Sequence, residues 1–142
     1  MEPQEKNLPI GYWLQKGSNL LTDKIAQAHQ SVNLSRTDWQ IMHTIKEHDK
    51  ISFEGLTQIM AVFADAKEIQ ETLHRFSTHN IISYADATAP VICLTPAGNL
   101  LHQECLTRQK QIRQKVMAGI SESDYQLVIK TLQKLVANLE EL

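Results

Sequence analysis

His43 and Glu47 stand one helical turn apart with His48 beside them, and His102 and Cys105 stand three residues apart. At those spacings each pair shares a helix face, and imidazole, carboxylate and thiolate are ordinary ligands of zinc-type ions. Each pair falls short of the three or four protein ligands such a site uses. With no third ligand nearby on the same face, a solvated surface without a metal is expected at both places. Cys93 and Cys105 make neither a disulfide framework nor a zinc pattern, and two reduced, mostly buried thiols are expected. The chain has no Gly-rich phosphate loop, nucleophile elbow, zinc-hydrolase motif or carboxylate pair in an evidently apolar setting. Neither catalysis nor a cofactor is expected.

Ionic recognition is the other chemistry the side chains could perform. From Ser52 to Leu94 the only bases are Lys67 and Arg75, against Glu54, Asp65, Glu68, Glu71 and Asp86, a net charge of −3 with histidines neutral. The densest basic run is Arg108, Lys110, Arg113 and Lys115. At about 100° per residue, positions 108 and 115 point away from 110 and 113, so this run reads as a solvated helix surface. The whole chain carries −2, which is not the strongly basic balance of a typical nucleic-acid domain.

These groups must be held by a mainly helical scaffold. With 142 residues, 42% hydrophobic and 21% charged, 5 Gly and 4 Pro, the chain can bury one core, and neither disorder nor a solenoid is expected. No run approaches the roughly eighteen apolar residues of a membrane span, and the polar start lacks a signal-peptide core, so a cytoplasmic location is expected.

Ile10, Leu14, Gly17, Leu21, Ile25, Ala28 and Val32 trace one face of a long amphipathic helix, widened by Leu8 and Leu20. Ser35 to Asp38 resembles a capping box, opening a helix to about His48 that buries Trp39, Met42 and Ile45. Ser52 caps a short helix through Met60, with Phe53, Leu56 and either Ile59 or Met60 inward. The next begins at Asp65, buries Ile69, Leu73 and Phe76, and ends near His79, with Asn80 at the left-handed position after it. Ile81 to Tyr84 and Val91 to Leu94 are strand-like and joined as a hairpin.

Thr95-Pro96 starts a helix reaching about Ala118, with Ala97, Leu101, Cys105, Ile112 and Val116 on one face. Gly119 ends it, and Ser121 to Asp124 can cap the last helix. There Tyr125, Val128, Ile129, Leu132, Leu135, Val136, Leu139 and Leu142 leave a broad apolar face in need of a partner.

This order of elements resembles the MarR family of bacterial transcriptional regulators, from about Ile10 to Leu142. The most specific stretches are Phe76-Ser77-Thr78-His79-Asn80-Ile81-Ile82 and Leu94-Thr95-Pro96-Ala97-Gly98, which look like the end of the family's recognition helix, its first wing strand and the start of its fifth helix. The resemblance implies a mostly α fold with a small β-hairpin wing. It implies a single domain over 1–142, a winged helix-turn-helix at 35–95 flanked by dimerisation helices at 8–32 and 96–142. It also implies a homodimer that binds double-stranded DNA, with recognition helices in the major groove and wings at the minor groove.

Carried onto this chain, the resemblance makes Ala66, Lys67, Gln70, Glu71 and His74 the outward positions of the recognition helix, with Gln70 able to read adenine and Lys67 a phosphate or guanine. In the wing, Asp86-Ala87-Thr88 matches a family Asp-x-Arg segment, so Thr88 stands where the arginine should be. Tyr84 falls where relatives often have a base, and Asn80 where they usually have glycine. Tyr12, Trp13 and Trp39 are candidates to bind a small aromatic effector, set against ordinary core and dimer packing. Leu14, Leu21, Leu132 and Leu139 are assigned to the dimer interface. The expected function is a dimeric DNA-binding transcription regulator. The alternative is an interaction or sensor module of the same fold that has lost autonomous operator binding.

Overall fold

The computed structural model describes residues 7–86, 88 and 90–142. Among them the elements run α1 (Ile10–Gln30), α2 (Arg36–His48), β1 (Ile51–Ser52), α3 (Phe53–Met60), α4 (Ala66–Thr78), β2 (Ile82–Tyr84), β3 (Val91–Leu94), α5 (Pro96–Val116) and α6 (Glu122–Glu140). Contacts divide the chain into one unit ending at Gln109 and a second over Lys110–Leu142.

Helix boundaries in the first unit follow local hydrogen bonding. The Ser35 hydroxyl accepts from the Asp38 N–H at 3.0 Å and the Asp38 carboxylate accepts from the Ser35 N–H at 3.1 Å, the reciprocal capping box expected from the sequence. Ser52 caps α3 by accepting from the Gly55 N–H, and Asp65 caps α4 by accepting from the Glu68 N–H. Asn80 follows α4 at φ 57°, a left-handed conformation that asparagine tolerates. Helix α1 stops two residues short of Val32, because Ser31 to Asn33 form a turn with Asn33 at φ 61°.

Antiparallel pairing in the order β1-β3-β2 makes a three-stranded sheet, where the sequence indicated only a hairpin. Ile51 pairs with Ile92, and Ile82, Ser83 and Tyr84 pair with Leu94, Cys93 and Ile92. Strand β1 went unread because it is two residues long and ends on the residue that caps α3, too short for any alternation of apolar and polar positions to register.

The core of this unit is a cluster containing Ile41, Met42 and Ile45 of α2, Leu56 and Met60 of α3, Ile69, Leu73 and Phe76 of α4, with Ile82, Ile92 and Cys105. Met60, not Ile59, takes the inward place on α3. Trp39 is only half-buried, and Ile41 is fully buried although the stripe read from the sequence omitted it. On α5 the buried positions are Gly98, His102 and Cys105, while Ala97 is exposed, a correction to the stripe read from the sequence. The cause is a close approach: a Cβ at Gly98 would fall onto the Ile81 carbonyl oxygen. Thr95 completes that junction, its hydroxyl accepting from the Gly98 N–H and donating to the Asn80 carbonyl.

In the second unit α5 ends at Val116, Gly119 turns the chain at φ 78°, and the Ser121 hydroxyl caps α6 by accepting from the Asp124 N–H. Arg113 lies over the Tyr125 ring at 5.4 Å. No residue of α6 is buried. Ile129, Leu132 and Leu135 are half-buried, whereas Leu127, Val128, Val136 and Leu139 are exposed. No helix among the described residues is long and apolar enough to cross a membrane.

Candidate nucleic-acid interface

Helix α4 buries Ile69, Thr72, Leu73 and Phe76 and so turns Ala66, Lys67, Gln70, Glu71 and His74 outward; all five are exposed. Burial of a 3.6-period stripe dictates this arrangement. Gln70 and His74, with Ser77 one turn further on, face a crevice of about 400 Å³ closed by Phe53, Leu73 and Tyr84. Lys67 and Glu71 lie outside that crevice. Two recognition-helix candidates are therefore brought together with Tyr84 of β2, and three, Ala66, Lys67 and Glu71, are not.

An ion pair buried at its carboxylate end ties α4 to α2. Asp38, only 3% exposed, accepts from Arg75 through both oxygens at 2.7 and 3.1 Å and from the Thr72 hydroxyl at 3.2 Å. This two-pronged guanidinium–carboxylate geometry fixes orientation as well as supplying charge. Burial pushes the Asp38 carboxyl up, but the hydrogen bonds from Arg75 and Ser35 and the Arg75 charge outweigh it and hold the group below its ordinary value. Sequence reasoning saw Asp38 only as a capping residue. Its partner is 37 positions away, and nothing local announces the pair. With Arg75 so engaged, Lys67 is the remaining base of the Ser52–Leu94 segment.

In the wing, Asp86 Oδ1 accepts from both the N–H and the hydroxyl of Thr88 at 2.9 Å. The side-chain position that the resemblance gives to an arginine is thus held by a neutral hydroxyl turned onto a carboxylate. Ala87 and Ala89 lie outside the described residues.

Tyr12 and Trp13 meet edge to face at 5.1 Å, with Lys16 Nζ 5.5 Å from the Tyr12 ring centre and 6.0 Å from that of Trp13. Tyr12 also borders an open depression of about 480 Å³ with Gln15, Lys16, Asn19 and Leu20. Trp39 does not join them. It packs against His43 and His102 at 5.1 and 5.0 Å, with ring planes 21° and 22° apart, and against His29 at 5.3 Å. The two residue pairs first considered separately as metal ligands are thus connected, since His43 Nδ1 lies 3.0 Å from His102 Nε2. Among the described residues no group of three or more His, Cys, Asp or Glu could hold a metal ion. Burial pushes the Cys105 thiol up to about 11, which leaves it protonated and inert. Of the residues assigned to a dimer interface, Leu14, Leu21 and Leu139 are exposed and Leu132 is half-buried.

The element order, the three-stranded wing and the outward face of α4 define the winged helix-turn-helix fold of the MarR regulators. Similar solved structures include MepR, a transcription regulator of the Staphylococcus aureus multidrug efflux pump MepA, at 16% identity over 93% of this chain and 99% of that one, TM-score 0.77. Wild-type MarR from E. coli matches at 12% identity over 90% and 97% of the two chains, TM-score 0.70. BpsR of Bordetella bronchiseptica, whose DNA binding is regulated by 6-hydroxynicotinic acid, matches at 16% identity over 91% and 94%, TM-score 0.64. No protein-family model and no curated protein sequence matches the chain.

Proposed function

We propose that this chain is a DNA-binding transcription regulator that acts as a homodimer. The observation carrying this reading is α4: its apolar side is sunk in the core and clamped to α2 through Asp38 and Arg75, while Lys67, Gln70, Glu71 and His74 remain exposed along one outward face. A rigid helix offering a polar face is what insertion into a major groove requires. Gln70 is suited to a bidentate contact with adenine, Lys67 to a phosphate or guanine, and Glu71 to a cytosine amino group.

Dimerisation is supported by the exposed leucines of α1 and α6, since apolar side chains in such numbers gain free energy when a partner covers them. Control by a small aromatic effector is proposed at Tyr12 and Trp13, which offer exposed ring area beside a cation, in preference to Trp39 with its covering of imidazoles.

Affinity rests on few charges, because the segment is net acidic and Arg75 is committed to Asp38. The same observation favours the second reading, an interaction or sensor module without operator binding of its own. The two are separated by titrating wild type, Lys67→Ala and Gln70→Ala against a selected operator. Lys67→Ala should weaken binding to all sequences and lower the salt slope by about one, while Gln70→Ala should relax preference at one base position. Binding unchanged by both substitutions would mean that α4 is not the reading element.

A further inference from the structure

We propose that His29, His43 and His102, gathered on Trp39, form a proton-operated joint that fastens α1 and α5 to α2 at neutral pH and loosens when a second proton enters the His43–His102 pair. The imidazoles of His43 and His102 are parallel to within 2°, with ring centres 5.3 Å apart, and share a 3.0 Å hydrogen bond. One nitrogen of that bond must donate and the other accept. The other nitrogen of His43, Nε2, lies 3.6 Å from Glu47. A proton on both rings removes the acceptor, and two cations then face each other at hydrogen-bond distance.

His29 closes the other side of Trp39. It is 1% exposed, and its Nε2 accepts from the Gln109 amide at 2.8 Å, which fixes the ring as neutral. Its buried Nδ1 has no hydrogen-bond partner among the described residues. The joint therefore draws one side chain from α1, two from α2 and two from α5, and His43 is its partly exposed imidazole.

The electrostatic surroundings act in the same direction. Burial lowers the proton affinity of His102, the nearby His43 and Lys46 of α2 lower it further, and Glu47 opposes them. Burial alone lowers that of His29, whose small neighbouring cavity is bordered by Arg36. On α5 itself Cys105 stays protonated and contributes no charge. A histidine whose folded-state proton affinity is depressed supports folding above its unfolded value near 6.5 and withdraws that support as pH falls through the folded value. Acid thus works against the joint.

The test is an NMR titration of the imidazole and indole resonances of the full chain from about pH 8 to 5. In wild type the His102 imidazole should take up its proton below the ordinary histidine range, and the Trp39 indole N–H should move with it. His102→Gln keeps a hydrogen-bonding side chain but cannot titrate. It should abolish the movement of the Trp39 signal that accompanies protonation of His102. A His102 resonance that titrates at or above the ordinary histidine value in wild type, or a Trp39 signal unmoved across the range, would overturn the proposal. So would far-UV helicity lost in step with Trp39, since that is global unfolding. The wild-type titration decides the matter even if His102→Gln does not fold.

Discussion

Asp38 performs two tasks through one carboxylate: it closes the capping box that starts α2 and anchors Arg75 of α4. The two ends of this pair differ in burial, with Asp38 enclosed and the Arg75 side chain 50% exposed. Their removal should therefore differ in cost. Arg75→Ala strands a buried carboxylate and should destabilise the fold by about 2–3 kcal/mol, toward the lower end for broken buried pairs because the arginine itself is wet. Asp38 has a depressed folded-state value, so the ion pair supports folding above the ordinary carboxylate range and that support disappears as pH falls through the folded value. Denaturant unfolding of wild type and Arg75→Ala at neutral pH and near pH 3 should show the difference shrinking in acid. A gap that persists unchanged would mean the arginine acts through packing. The caps at Ser35, Ser52, Asp65 and Ser121 were legible in the sequence because a cap depends on neighbours within three residues. The Asp38–Arg75 pair and the His43–His102 contact were not, since their partners lie 37 and 59 positions apart and meet only once the helices have packed.

The elements themselves were legible wherever an apolar period had room to repeat. Helix α4 is the clearest case: Ile69, Leu73 and Phe76 were assigned inward from spacing alone, and each is buried. Helix α5 was read less well, because its packing is governed by the absence of a side chain. Gly98 lets α5 touch the Ile81 carbonyl, so Gly98 and His102 turn inward and Ala97 turns out. Gly98→Ala should cost about 1–3 kcal/mol through overpacking against a backbone oxygen that cannot swing aside, although alanine is the better helix former. Thermal denaturation of the variant measures this, and an unchanged or raised midpoint would show that α5 can slide away from the wing. Strand β1 marks the other limit, since two residues cannot display an alternation. The wing it joins carries Thr88 tied to Asp86 where the family resemblance leads one to expect a base.

At the scale of the whole molecule, α6 has no buried residue, and Leu127, Val128, Val136 and Leu139 stand exposed on it, with Ile10, Leu14, Leu20 and Leu21 exposed on α1. If these faces meet a second copy, the folded state depends on protein concentration. Sedimentation should then find a dimer, and Leu132→Asp with Leu139→Asp should give monomer or aggregate, because each aspartate would be buried without a partner. A stable, folded wild-type monomer at micromolar concentration would contradict this. If a chain of net charge −2 binds nucleic acid, the binding must rest on a few placed contacts, with little help from overall attraction. The measurement that bears most directly on this account is a fluorescence anisotropy titration of wild type and Thr88→Arg against the promoter region of the protein's own gene at two salt concentrations. The account predicts saturable binding by wild type that weakens with salt, and tighter binding by Thr88→Arg with a gain that shrinks as salt rises. No detectable binding by either protein at the lower salt would contradict it and leave the fold as an interaction module.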